Sequence, residues 1–195
     1  MIPAPGEMQK TIAFGSEIVE VMNSRYGSSM AMSTEIGGSP NKVWLSGFWQ
    51  SLDDYQSFLE SYMADQQLMA AISMSTSFMT EMQDQIGEVL RPPGERKAFA
   101  QVHRGRLKST GVAEGTELIL DLTNHVSELS GSECGLVRPV TGDQYGVTFV
   151  AHADTLQGLK DMTDTWVADE KYQELFAKGP EYFESEFYVT YVRFI

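Results

Sequence analysis

A chain of 195 residues with 42% hydrophobic and 21% charged residues lies near globular averages, which excludes a disordered or membrane-embedded chain and allows one medium domain or two small ones. Its 27 acidic residues against 14 basic ones give a net charge of −13, so phosphate backbones and anionic lipid surfaces are repelled. Neither nucleic acid nor membrane is therefore expected as a partner. No run approaches the roughly 20 apolar residues of a membrane span, and "MIPAPGEMQK" lacks the basic and apolar regions of a leader. The single Cys134 suits a reducing compartment, and a cytoplasmic location is expected.

The first periodic segment, Gly15–Tyr26, places Ile18, Val21, Met22 and Tyr26 at helical spacing, with Gly27 as a stop. "SMAMSTEI" (29–36) and "KVWLSGFW" (42–49) are short and apolar or alternating, and the turn cluster "GGSPN" between them predicts a hairpin. Ser51 with Asp54 three places on is a capping arrangement for a helix over Ser51–Met63. Asp65 can cap a further helix to about Met82, and "DQIGEVL" (84–90) reads as a short strand ended by "RPPGE". After those prolines the order repeats. A strand (97–107) is followed by a helix (115–130), a hairpin of "CGLVRPV" and "YGVTFVAHA" around "TGDQ", a helical stretch (155–179) and a closing strand "FYVTYVRFI".

A spacing of 104 superposes Asp65 on Asp169, Val43 on Val147, Leu45 on Phe149, Ser51 on Thr155, Leu52 on Leu156, Tyr62 on Trp166 and Gly38 on Gly142. The preceding helices match at a spacing of 100, Gly15-Ser-Glu-Ile on Gly115-Thr-Glu-Leu, which implies four residues inserted in the second half. An internal duplication is the expectation, with units 1–93 and 94–195, each reading β-α-β-β-α-β in the ferredoxin-like manner. The first unit's opening strand is absent or irregular: either it is short, or the reading frame begins upstream.

Two such units, "FWQSLDDYQSFL" at a strand-to-helix junction and an Ala-Asp break in the second helix resemble the dimeric α+β barrel superfamily. That group includes antibiotic-biosynthesis monooxygenases, stress-responsive A/B-barrel proteins, haem-degrading monooxygenases and NIPSNAP-like proteins. The resemblance covers about 15–90 and 97–195. It implies an α+β fold of duplicated ferredoxin-like units whose antiparallel sheets carry helices on one face. The other faces would form a barrel within one chain, as a monomeric pseudo-dimer or as part of a homodimer. The barrel interior, or the groove between sheet and helix, is the expected pocket.

His103, His125 and His152 are the only histidines. His125 falls on a helix and reads as part of a solvated face. His152 and His103 lie on strands and are the candidate general bases, set against the plainer reading of hydrogen-bonded strand histidines. By strand parity His152 shares a face with Thr148 and Val150, whose first-half equivalents are Trp44 and Ser46, with Phe48 matching His152 itself. Trp44, Phe48 and Thr148 are therefore candidate ligand contacts. "HRGR" is the one basic cluster: Arg104 is a candidate clamp for a carboxylate or enolate, or the cluster guards an edge strand. Cys134 matches Met30 and is expected in the core. No His or Cys spacing suits a metal, and no cofactor is expected. The leading functional reading is binding of a small hydrophobic or aromatic molecule. The alternatives are a cofactor-independent monooxygenase and a structural or protein-interaction module.

Overall fold

The computed structural model describes residues 1–37 and 41–195, so the expected match of Gly38 with Gly142 lies outside the described residues. The chain divides into two compact units: residues 1–83 together with the last two residues, and residues 84–193.

In unit 1, β1 (Ile2–Pro3) leads into α1 (Met8–Tyr26), the hairpin β2 (Ala31–Gly37) and β3 (Val43–Ser46), then α2 (Leu52–Met63), α3 (Gln66–Ser75) and β4 (Met79–Glu81). β1 pairs with β4 through a shifted register. The segment after Asp65 is helical only to Ser75 and then turns to strand at Met79, not the single helix to Met82 expected. The α1 backbone comes close to the hairpin at Gly15, where a Cβ would lie 2.7 Å from Met32 Sδ. Beneath the helices, Phe58 is buried and ringed by Trp49, Tyr55 and Tyr62 at centroid distances of 4.9, 6.4 and 5.2 Å.

Unit 2 runs β5 (Gly87–Arg91), β6 (Phe99–Leu107), α4 (Val112–Ser130), β7 (Gly135–Pro139), β8 (Gly146–Ala153), α5 (Leu156–Ala168), α6 (Glu170–Ala177), α7 (Gly179–Tyr182) and β9 (Phe183–Phe194). Its strands pair antiparallel in the order β9-β6-β8-β7-β5. The basic strand β6 therefore lies inside the sheet, and the edge-guarding reading of "HRGR" is incorrect. The core joins Val126 of α4, Leu136 of β7, Phe149 and Ala151 of β8 and Trp166 of α5; Cys134 is buried with it.

Most of the corresponding elements start at one spacing. Helices α1 and α4 begin at 8 and 112 and end at 26 and 130, each 104 apart, and both stop at a left-handed glycine, Gly27 or Gly131. Asn23 Oδ1 accepts from the Met30 amide and Ser127 Oγ accepts from the Cys134 amide, again 104 apart at both ends. The expected spacing of 100 for these helices, and the four-residue insertion it implied, are corrected by this register. Four residues are about one helical turn, so both registers put apolar positions on nearly the same face. Gly115 has its own reason to be glycine, since a Cβ there would lie 2.4 Å from Leu107 Cδ2.

The cap positions repeat as well. Ser51 Oγ accepts from the Asp54 amide and Thr155 Oγ1 from the Gly158 amide. Asp65 caps α3 through the Gln67 and Leu68 amides, and Asp169 caps α6 through the Tyr172 amide. Each aspartate is gripped from the first helix of its unit. Tyr26 Oη and Arg25 Nη1 donate to Asp65 at 2.8 and 3.3 Å, while His125 Nε2 lies 2.6 Å from Asp169 Oδ1. His125 is thus a half-buried helix-to-helix tie, not the solvated residue expected. In both aspartates the donated hydrogen bonds hold the carboxyl below the usual range, led by the Leu68 amide at Asp65 and by His125 at Asp169.

The first turn of α5 gives a direct check on which leucines carry the packing. Leu159 is fully buried whereas Leu156 is 43% exposed. Leu159→Ala should cost about 2–5 kcal/mol in urea unfolding, and Leu156→Ala no more than about 0.5 kcal/mol.

Candidate functional site

Strand β6 distributes unit 2's polar residues between two faces. Gln101 Oε1 accepts from Thr163 Oγ1 of α5, and Leu107 packs at Gly115 of α4, so the odd-numbered residues face the helices. The even-numbered residues face away, and register extends that face to the neighbouring strands. Ala100 stands opposite His152 and Val192, Val102 opposite Val150 and Thr190, and Arg104 opposite Thr148 and Tyr188.

This helix-free face holds three of the expected site residues, His152, Thr148 and Arg104. Arg104 Nη1 donates to Thr190 Oγ1 at 3.1 Å. Tyr188 beside it is 60% exposed, whereas Val102 and Val192 are buried. A cation anchored to a hydroxyl and flanked by an accessible aromatic ring and branched aliphatic residues suits an apolar molecule bearing an anionic oxygen. Thr190 and Tyr188 escaped the sequence reading. Their parity on β9 is plain, but it becomes informative only once β9 is known to pair with β6.

His152 sits four residues from Thr148 on β8, about 13 Å along the strand. It is buried, and the Lys97 amide donates to its Nδ1 at 3.4 Å. That contact favours the tautomer with its proton on Nε2. Burial, followed by the charges of Arg96 and Lys97, lowers its pKa from the ordinary value.

His103 is on the opposite face, and the structure does not bring the two candidate histidines together. Its ring meets Phe149 and Phe187 edge-on at 5.3 and 5.5 Å. Nε2 is buried without a protein hydrogen-bond partner, and burial lowers the pKa to about 4. Such a group is a weak base near neutral pH and belongs to the helix-side packing.

In unit 1, Met32 and Leu45 face α1 at Gly15, so Trp44 lies on the opposite face of its hairpin. Trp44 Nε1 donates to Glu35 Oε1 at 3.0 Å, and Glu35 is only 3% exposed. This buried carboxylate also escaped the sequence reading; its alternation with Ser33 was the available signal. Phe48 follows the end of β3 and is 58% exposed. Among the described residues no group of three or more His, Cys, Asp or Glu could hold a metal, and no helix is long and apolar enough to cross a membrane.

No family model matches the sequence, and no curated protein matches it. Solved structures do share its fold. A candidate monooxygenase from Lactobacillus acidophilus NCFM matches with a TM-score of 0.71 at 8% identity, over 100% of this chain and 90% of its own. A candidate monooxygenase from Fusobacterium nucleatum subsp. nucleatum matches at 0.67 and 8% identity, covering 99% and 88%. An anthrone oxidase-like protein matches at 0.68 and 12% identity, covering 100% and 88%. At such identities the likeness is one of fold. The chain has an α+β fold with antiparallel sheets, of the dimeric α+β barrel class.

The environment of His103 predicts a definite acid sensitivity. The unfolded imidazole titrates near 6.5 and the folded one near 4, so this stability is present above pH 6.5 and is lost as pH falls towards 4. Urea unfolding of the native chain and of His103→Leu at pH 7 and pH 5 should show the variant losing less, by about 2 kcal/mol.

Proposed function

We propose that the chain binds a small hydrophobic or aromatic molecule on the helix-free face of unit 2, with an acidic oxygen of the molecule set against Arg104. The observation that carries this reading is Arg104 itself, anchored to Thr190 on a face shared with Thr148, Tyr188, Val102 and Val150. An arginine fork recognises phenolate, enolate or carboxylate oxygens with directional hydrogen bonds, and the neighbouring aliphatic surface favours an apolar body. Trp44 and Phe48 are proposed as ligand contacts of unit 1's own hairpin.

A second reading, a cofactor-independent monooxygenase-like enzyme, draws on His152 and on the printed descriptions of the structural neighbours. In it, the ligand's own carbanion reacts with oxygen while the protein excludes water and stabilises the anion. His152, the candidate base, would take the proton whose loss leaves that carbanion. One molecule reaching both Arg104 and His152 would have to be elongated, as a linear polycycle is.

The shared spacing of 104 and the matching caps also support a tandem duplication joined near residue 93, beside the Pro92-Pro93 link, and a monomeric pseudo-dimer or a homodimer as the working form. Native mass spectrometry of the full chain reports both the subunit number and any retained ligand.

Titration with 1-naphthol and its methyl ether tests the binding reading. Naphthol should bind more tightly, and Arg104→Ala should weaken it by about tenfold; equal affinity for the ether would remove the anionic oxygen from the reading. Oxygen uptake with anthrone tests the enzyme reading. Uptake should fall in His152→Ala, and an unchanged rate would take His152 out of the mechanism.

A further inference from the structure

A second concave surface, in unit 1, is unrelated to the sheet face described above. Helices α1 and α3 enclose a groove of about 280 Å³ lined by Phe14, Ile18, Val21, Leu68, Ala71, Met74 and Phe78, with Glu17 as the single charged lining residue. Ile18 and Leu68 form its buried floor at 7% and 6% exposure, and Phe14 meets Phe78 edge-on at 5.6 Å to close one end. Met74, 73% exposed, stands on the rim. From Phe14 to Val21 the groove runs about 10 Å along α1.

The fold does not require this lining to be apolar. A groove of unit 2, between α4 and α6, shares three of these positions and is lined by Asp121, Asn124, His125, Glu128, Lys171 and Leu175. At the spacing of 104, Val21 becomes His125 and Ala71 becomes Leu175, while Glu17 becomes Asp121 and stays acidic. The two grooves thus differ in character at Val21 and His125, while Ala71 and Leu175 are apolar in both.

Size and charge together narrow the occupant. A closed apolar cavity of about 150 Å³ suffices for benzene, so this groove is matched to a medium alkyl chain or a bicyclic ring. The carboxylate of Glu17 and the net charge of −13 disfavour an anionic head group. The groove's aromatic end already carries an ammonium, since Lys10 Nζ lies 4.8 Å from the Phe78 ring centroid and 3.7 Å from Glu7. An ammonium near an aromatic face and a carboxylate is stabilised by both.

We infer that the α1/α3 groove is a binding site for an apolar molecule bearing a protonated amine, its hydrocarbon body lying between Phe14, Ala71 and Met74 and its ammonium at Glu17. Met74 suits such a site, because its flexible thioether can close over ligands of different shape.

Isothermal titration of the full chain at pH 7 with octylamine, octanol and octanoate tests this directly. The expected order of affinity is octylamine, then octanol, then octanoate. Octylamine should also exceed hexylamine, by up to about fourfold per buried methylene. Ala71→Trp fills the groove from an exposed position and should abolish binding, whereas Ala70→Trp, outside the lining, should not. Glu17→Gln should lower octylamine affinity about three- to fivefold towards that of octanol, with octanol unchanged. The proposal is overturned if octanoate binds as well as octylamine, or if Ala71→Trp leaves binding intact. It is equally overturned if only a lysine- and leucine-rich amphipathic helical peptide binds, which would make the groove a docking surface for a helix.

Discussion

The two-residue alternation of β6 governs the chemistry of unit 2. Because β6 lies inside the sheet, each of its residues has neighbours on both sides, and register fixes which side chains share a face. One residue of difference sends His103 among Phe149, Phe187 and the helices, and Arg104 to the helix-free face with Thr148 and Thr190. The two positions are adjacent in sequence and opposite in character. An imidazole surrounded by aromatic rings is held neutral, whereas a guanidinium anchored to a threonine keeps its charge and its directional donors.

Most element positions were legible because the physical signals are local. Serine, threonine and aspartate caps, glycine stops and the prolines after β5 act within a few residues, and the structure places helix and strand boundaries close to them. What escaped depended on pairing. Whether "HRGR" was an edge or a central strand is decided by β9, some 80 residues further on, and nothing local to 103–106 reports it. The helix register failed for a different reason: a shift of four residues changes a helical face by only about 40°, so matched glycines outweighed the true spacing. Of the expected site, Thr148 and His152 share a face by strand parity, and cross-strand register adds Arg104 to it. Thr190, Tyr188 and Glu35 were missed, since polar residues in strands gain meaning only from their cross-strand neighbours.

The C-terminal residues and β5 each make backbone pairings far from their sequence neighbours. Residues Phe194 and Ile195 belong to unit 1, where the Ile195 amide donates to the Met32 carbonyl, while β5, which follows unit 1 in sequence, pairs with β7 of unit 2. The two contacts correspond: Arg91 stands opposite Leu136, and Ile195 and Met32 are each 104 removed from those positions. Neither half of the chain contains all of its own strand pairings, so a cut at the proline link would leave both with unpaired backbone.

Where the corresponding positions differ is more informative than where they agree. The capping aspartates are kept although the groups gripping them change, a tyrosine and an arginine at Asp65 and a histidine at Asp169. That pattern is what a structural joint demands, because any donor that satisfies the carboxylate will hold the helix start. The groove positions Val21 and His125 and the sheet positions Trp44 and Thr148 behave differently, changing from apolar or aromatic to polar while the backbone around them keeps its spacing. Packing alone would tolerate the same residue class at both members of such a pair of positions. A change of chemistry at constant geometry points to a constraint beyond folding, and both proposed binding surfaces fall on positions of that kind.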